Sequence, residues 1–134
     1  MGTPRNPSGI RDLATSSFVL LTTFTRDGRP KATPVWAAPD GDALVVITDR
    51  DSWKVRRARR NPEVLLASCD MRGRRTGPDL AASAVVVEGP EYLARVTGAL
   101  LRKYGWQMRL ARLLGRTSAR ERVGLVLRDR PPSS

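Results

Sequence analysis

Ser52, Trp53 and Lys54 lie at the start of a predicted helix, where residues of these types could bind an anion. The first turn of a helix carries unpaired backbone N–H groups and a partial positive charge, and both favour a phosphate. The Ser52 hydroxyl would add a donor, the Lys54 ammonium would add a full charge, and Thr48 ends the preceding strand. A helix cap followed by a solvated lysine would explain the same residues, so the spacing alone leaves both interpretations open.

The chain lacks the residue types on which most cofactor-free catalysis depends. It has no histidine and a single cysteine, Cys69. This composition excludes Ser-His and Cys-His nucleophile pairs, a disulfide framework and a cysteine-based metal cluster. We therefore predict no metal site and assign no catalytic residue, and we expect redox chemistry only from a bound cofactor.

The net charge of +11 indicates an anionic partner or merely a genome that favours arginine. Of the 24 basic residues, only Lys31, Lys54 and Lys103 are lysines, and 13 acidic residues oppose them. The planar guanidinium suits carboxylates and phosphates. Residues 50–60 and the amphipathic stretch 106–116 could form a basic module for nucleic acid or an anionic membrane. No nucleic-acid motif or interleaved aromatic residue supports specific binding of nucleic acid, and such a helix more often packs on its own barrel than on a membrane.

Short strands joined by turns would position these residues. Strands are predicted over residues 18–25, 31–37, 43–48, 64–69, 84–88 and 123–127. Asp27 and Gly28 predict a hairpin, and tight turns make the first three strands a predicted meander. Pro34 lacks an N–H group, so its strand should be an edge strand or carry a bulge. Helices are predicted over residues 10–14, 53–60, 91–103 and 106–114, and loose tails over residues 1–9 and 129–134. In the second of these helices, the spacing predicts that Val55 and Ala58 face inward and that the arginines face outward: Arg56, Arg57, Arg59 and Arg60. The tripeptide at residues 103–105 (KYG) should end the third helix, with Gly105 at the cap.

Six strands with helices inserted late predict one α+β, mainly β domain over residues 1–134, built as an antiparallel barrel. A doubly wound parallel sheet is not favoured, because the first three strands leave no room for crossover helices. Apolar runs are too short for a membrane-spanning helix, and the first residues do not form a secretory signal. We therefore expect a cytoplasmic protein.

Three segments in order, followed by a fourth, are similar to the PPOX-class F420-dependent enzymes, relatives of pyridoxamine 5'-phosphate oxidase. They are residues 21–36 (LTTFTRDGRPKATPVW), 48–62 (TDRDSWKVRRARRNP), 69–77 (CDMRGRRTG) and 103–105 (KYG). The resemblance covers residues 15–127 and implies a six-stranded antiparallel split β-barrel of the FMN-binding type. It further implies a homodimer that binds coenzyme F420, a deazaflavin, in a groove at the subunit interface. More distant relatives bind FMN or haem.

The resemblance also implies a cofactor site. Backbone contacts to the ring would come from Thr33, Pro34, Val35 and Trp36. Phosphate contacts would come from Thr48, Ser52, Trp53 and Lys54. Arg74 would reach the acidic tail across the dimer interface, although a solvated hairpin loop explains residues 72–75 equally well. Trp36 alone would more often be a core or interface residue. Trp53 departs from similar sequences, which commonly have a small residue there, and it could narrow the groove or stack on the cofactor.

The implied activity is that of an F420-dependent reductase, in which hydride passes from C5 of reduced F420 to a small unsaturated organic substrate. Proton delivery can come from solvent, so Tyr104 is not assigned as a catalytic acid. An FMN-dependent oxidoreductase on the same barrel is the alternative within this class. The basic binding module is the alternative of another class, and neither the substrate nor the choice between F420 and FMN follows from the sequence.

Overall fold

The structure is a computed structural model that describes residues 9–105 and 122–130. Its helices are a 3₁₀ turn (Ile10–Leu13), α1 (Trp53–Arg60) and α2 (Pro90–Tyr104). Its strands are β1 (Phe18–Phe24), β2 (Pro30–Val35), β3 (Ala38–Asp40), β4 (Ala43–Asp49), β5 (Glu63–Cys69), β6 (Leu80–Val87) and β7 (Arg122–Asp129). The predicted helix at 106–114 and most of the predicted tails, residues 1–8 and 131–134, lie outside the described residues.

The strands form one sheet in the order β2-β1-β5-β6-β7-β4-β3, and each neighbouring pair is antiparallel. The predicted α+β class and antiparallel sheet are confirmed, with seven strands rather than six. The predicted meander is wrong, because β2 pairs with β1 whereas β4 pairs with β3 and β7. The extra strand β3 forms because the chain changes partner after Val35.

The two edges of the sheet meet because only Trp36 and Ala37 separate the edge strand β2 from the edge strand β3. The Cα atoms of Val35 and Ala38 are three residues apart in the chain, so the distance between them is at most about 11 Å. A seven-stranded sheet whose edges are that close must roll into a barrel. The barrel stays split, since the strand pairings of the described residues do not join β2 to β3.

The short-range predictions at the first hairpin are confirmed. Gly28 has a φ of +85°, the left-handed region that glycine adopts readily, and the Thr25 N–H donates to the Arg29 carbonyl at 2.9 Å. Pro34 lies on an edge strand as its missing N–H requires. The hairpin therefore fixes the register that places Pro34 opposite Leu20.

One apolar cluster fills the barrel and includes Ala58 of α1, whereas α2 packs in a second cluster with Ala38 and Val45. The strand members of the first cluster include Val19, Leu21, Val35, Leu44, Val46, Val64, Leu66, Leu125 and Leu127. Helix α1 buries Val55 and Ala58, as its spacing predicts, whereas the predicted outward position of Arg57 is wrong because its Nε donates to Thr23 Oγ1 at 2.8 Å. Helix α2 buries Val96 and Leu100. In the described part of the chain, no helix is long and apolar enough to cross a membrane.

Two predicted boundaries are wrong at the end of the chain. Strand β6 starts at Leu80 rather than residue 84, because residues 80–83 pair with β5. Strand β7 continues through Asp129, which was predicted to belong to a loose tail. The Asp129 carboxylate accepts a hydrogen bond from the Ile10 N–H at 2.8 Å and so fixes the first turn against the last strand.

Truncating Leu66 should test the core. Leu66 is 0% exposed and lies in the central cluster, so Leu66→Ala should lower the free energy of unfolding by about 2–5 kcal/mol through lost burial and a cavity. Leu101→Ala removes the same atoms from a side chain of α2 that is 45% exposed, and it should change that energy by less than about 0.5 kcal/mol. Urea unfolding of both variants measures the difference, and equal losses would contradict the assigned core.

Candidate phosphate and cofactor site

The start of α1 holds a serine hydroxyl with no partner. Ser52 is the N-cap residue, with extended φ and ψ of −68° and 153°, as predicted. Its Oγ nevertheless makes no capping bond and is a buried polar atom without a hydrogen bond in the structure. An unpaired buried hydroxyl is costly, and a ligand oxygen at the helix start would satisfy it.

Lys54, in the first turn of α1, has a half-buried side chain. Within residues 9–105 and 122–130 it forms no hydrogen bond or ion pair. Burial lowers the pKa of Lys54, the Asp49 carboxylate opposes this effect, and Arg57 adds to it. A bound anion would compensate the desolvated charge, so the residues present at this helix start fit a phosphate.

Trp53 projects away from the core. Its side chain is 67% exposed, and the Arg56 guanidinium lies 5.2 Å from the ring centroid. This cation–π pair lies on the exposed side of α1. Thr48 is almost fully buried in β4 and pairs with Val123 in the ladder.

The predicted ring-binding segment divides between the core and the surface. Val35 is buried in the barrel, Pro34 is exposed, and Thr33 is half-buried. Trp36 is half-buried, with ring centroids 6.3 Å from Phe18 and 5.8 Å from Tyr104. The Trp36 indole therefore belongs to an aromatic cluster, whereas the edge of β2 leaves Pro34 accessible.

Asp70 organises the arginine-rich loop after β5. Its Oδ1 accepts the backbone N–H groups of Arg72 and Arg74, each at 2.9 Å, and its Oδ2 pairs with Arg74 Nε at 2.8 Å. These interactions lower the pKa of Asp70, mainly through the Arg74 contacts. Arg75 pairs with Asp79 at 3.1 Å. The loop is thus an ordered hairpin whose charge is partly neutralised.

The arginine-rich loop and the predicted ring-binding strand contact each other in the structure. A Cβ added to Gly73, whose φ is +84°, would lie 3.6 Å from the Pro34 ring, so the arginine loop packs on the predicted ring-binding strand. Among the described residues, no hydrogen bond, ion pair or ring contact joins either group to residues 52–54. A cofactor that used the start of α1 as well as the arginine-rich loop and β2 would have to extend from one site to the other.

Comparison with known proteins identifies the family. The sequence model described as pyridoxamine 5'-phosphate oxidase matches residues 10–128. The chain belongs to the pyridoxamine 5'-phosphate oxidase family. No curated protein sequence matches it significantly.

Solved structures with the same fold differ in what their names say they bind. A conserved hypothetical protein from Mycobacterium tuberculosis is 25% identical, with a TM-score of 0.65 and coverage of 89% of this chain and 76% of that one. An F420 reductase is 23% identical, with a TM-score of 0.59 and coverage of 94% and 97%. The heme storage protein HutZ from Vibrio cholerae is 17% identical, with a TM-score of 0.69 and coverage of 92% and 89%. At these identities, the last two show the fold alone.

A cleft of about 540 Å³ lies at the end of α2 in this family member, and the sequence motifs did not predict it. Phe18, Trp36, Lys103 and Tyr104 line it, together with residues of the segment before β1. Lys103 and Tyr104 belong to the KYG motif, which predicted a helix end, and Gly105 indeed has a φ of +63°. That motif marked the place, but only the folded chain brings the two side chains against Trp36.

Lys103 should give the stability a pH dependence. Burial lowers the pKa of Lys103 from 10.5 to about 8. Between these values the unfolded chain binds more protons than the folded one, so this residue makes the free energy of unfolding rise with pH. Tyr104, with a pKa raised by burial to about 12, keeps its proton over that range in the folded state.

Urea unfolding at about pH 7.5 and about pH 9.5 measures this rise. We expect Lys103→Met to remove it and Arg102→Met, which removes the same charge from an exposed neighbouring residue, to retain it. The assignment fails if the wild type and Lys103→Met show the same pH dependence.

Proposed function

We propose that the protein is an F420-dependent oxidoreductase that reduces a small unsaturated organic substrate. The observation that carries the proposal is that the first turn of α1 has a buried Ser52 hydroxyl and a half-buried Lys54 ammonium, neither of which has a hydrogen-bond partner among the described residues. A phosphodiester would satisfy both groups. The fold shared with an F420 reductase and the ordered sequence motifs support the same cofactor.

The chain would bind, orient and shield the cofactor and leave the redox chemistry to it. Bound F420 supplies a hydride at C5 of its deazaflavin ring. Ser52, Lys54 and the first N–H groups of α1 would hold the phosphodiester, with Thr48 at the end of the preceding strand. The exposed edge of β2 at Thr33 and Pro34 would present backbone groups to the ring, with Val35 and Trp36 fixing that strand to the core. Trp53 and its Arg56 partner would extend this surface.

The residue types favour a flavin or deazaflavin over haem. Haem iron takes a protein ligand from histidine, cysteine, methionine or tyrosine, and this chain has no histidine. Burial raises the pKa of Cys69, which opposes formation of a thiolate. The Tyr104 phenol donates to the Ser17 carbonyl at 2.9 Å and accepts the Ala37 N–H at 3.2 Å. Cys69 and Tyr104 are therefore poorly placed to bind haem iron, whereas Met71 and Tyr92 are exposed, so the preference for a flavin or deazaflavin rests on the lack of histidine.

The choice of F420 over FMN rests on charge. F420 has a phosphodiester and a polyglutamyl tail, so it offers carboxylates to arginines where FMN does not. Arg74 is 74% exposed although it pairs with Asp70, and Arg72 forms no ion pair within the described ranges. Because surface pairs exchange readily, these arginines can turn to the acidic tail. We further propose that the protein is a homodimer in which Arg74 reaches the cofactor held by the other subunit.

Removing the Lys54 charge should weaken F420 binding. In a fluorescence titration of cofactor-free protein at about 0.15 M salt, Lys54→Ala should lower the affinity by about 10- to 100-fold, because a charge-assisted contact is lost. Arg60→Ala is the matched control, since it removes one charge from the exposed end of the same helix. FMN is titrated in parallel.

The outcomes of this titration separate the alternatives. F420 binding that is tighter than FMN binding and sensitive only to Lys54→Ala agrees with the proposal. Tight FMN binding with weak F420 binding would keep the fold and change the enzyme class. Equal effects of Lys54→Ala and Arg60→Ala would refute the phosphate site, and binding of neither cofactor would refute the function.

Replacing Arg74 should affect F420 and spare FMN. Arg74→Ala should weaken F420 binding by about two- to fivefold, since an exposed pair contributes about 0–1 kcal/mol, and this difference should shrink as salt is raised. Arg29→Ala removes an equally exposed arginine that pairs with Asp27 in the β1–β2 turn, and it should have no effect. Isothermal titration calorimetry with both cofactors measures these changes. An equal loss of FMN affinity would show that Arg74 does not contact the acidic tail of F420.

A further inference from the structure

The cleft at the end of α2 combines an apolar wall with the Lys103 ammonium, which is the one charged group among its described lining residues. The rings of Phe18, Trp36 and Tyr104 line one part of it. The ring centroid of Trp36 lies 6.3 Å from that of Phe18 and 5.8 Å from that of Tyr104. All three side chains are half-buried, so each has surface left for a ligand. Thr15 and Ser17 add exposed hydroxyl groups at the rim. The cleft volume of about 540 Å³ lies in the range of small-molecule sites.

Lys103 is held rigidly in the wall of this cleft. Its Nζ donates to the carbonyl oxygens of Ser16 and Ala37, both at 2.6 Å, and lies 4.8 Å from the Tyr104 ring centroid. Neutral carbonyls position the ammonium without cancelling its charge. Across the described part of the chain, no carboxylate pairs with it. Within the described ranges, the third N–H of the ammonium therefore has no oxygen partner.

We propose that this cleft binds a small organic anion with a flat apolar body, the anionic group contacting Lys103 and the body packing on the aromatic cluster. A fixed cation beside aromatic rings matches an aromatic or unsaturated carboxylate in both charge and shape. A neutral ligand of the same shape would desolvate the half-buried ammonium without supplying a counter-charge, so the cleft favours the anion.

Trp36 connects the cleft to the proposed cofactor strand. It directly follows Val35 at the end of β2, and its indole faces the cleft. A ligand in the cleft would thus lie next to the end of the segment that we assign to the deazaflavin ring. The identification of this ligand with the substrate rests on the proposed reductase function, whereas the binding of an organic anion does not.

Cinnamate is a suitable probe because it is flat, unsaturated, aromatic and ionised at neutral pH. We expect saturable binding to the cofactor-free wild-type protein by isothermal titration calorimetry at about 0.15 M salt. Cinnamamide, the neutral isostere, should bind about tenfold more weakly. Lys103→Met should remove this preference, whereas Arg102→Met should retain it, which separates the cleft from attraction by the net positive charge.

A pH series on the wild type tests the same point without a substitution that could perturb folding. Cinnamate affinity should fall about tenfold from about pH 7 to about pH 10, since the pKa of Lys103 is about 8. Tyr104, the titratable group that contacts Lys103 in the described structure, stays neutral because its pKa is about 12. The segment before β1 and the end of β2 contribute carbonyl groups and uncharged side chains to the cleft.

The result overturns the inference if cinnamate does not bind, if cinnamamide binds equally well, or if Lys103→Met and Arg102→Met behave alike. A parallel F420 titration keeps the two proposals distinguishable. Cinnamate binding without F420 binding would support the anion cleft and refute the reductase. F420 binding without cinnamate binding would refute the cleft and leave the proposed cofactor site intact.

Discussion

The two-residue crossing from β2 to β3 is the constraint on which the rest of the structure depends. Because only Trp36 and Ala37 join opposite edges of a seven-stranded sheet, the sheet has to close. Closure encloses the apolar cluster and leaves the crossing residues at the seam. At the seam, the Ala37 carbonyl accepts a hydrogen bond from the Lys103 ammonium, and the Ala37 N–H donates one to the Tyr104 hydroxyl. The backbone groups that the crossing leaves unpaired are thus satisfied by side chains at the end of α2.

The same closure explains why two charged lysines are desolvated in a chain dominated by arginine. Lys54 lies at the start of a helix packed on the barrel, and Lys103 lies against the seam, and burial lowers the pKa of each. They differ in what surrounds the ammonium. Lys103 has two carbonyl partners, whereas Lys54 has none in the described structure. Lys103 can therefore contribute to the fold without a ligand, whereas a bound anion would supply the partner that Lys54 lacks among the described residues.

Local sequence patterns predicted local structure well and failed where distant pairings decide. The Asp27–Gly28 turn, the edge position of Pro34 and the buried face of α1 each follow from a few neighbouring residues. The strand β3 and the extension of β6 exist because of partners far away along the chain, and no periodicity encodes them. Likewise, the serine and lysine at the start of α1 could be identified in the sequence, but their lack of partners could not.

The Lys103 cleft illustrates why some of the candidate site lay beyond the sequence. Lys103 and Tyr104 are adjacent in the chain and Trp36 lies 67 residues before Lys103, yet closure of the barrel places all three around one cavity. A KYG tripeptide at the end of a helix predicts only a cap. Once Trp36 is fixed at the seam, the helix that supplies its partners also supplies a cation beside them. Closure of the barrel thereby places the aromatic rings and the Lys103 ammonium of the cleft next to β2, the strand proposed to hold the cofactor ring.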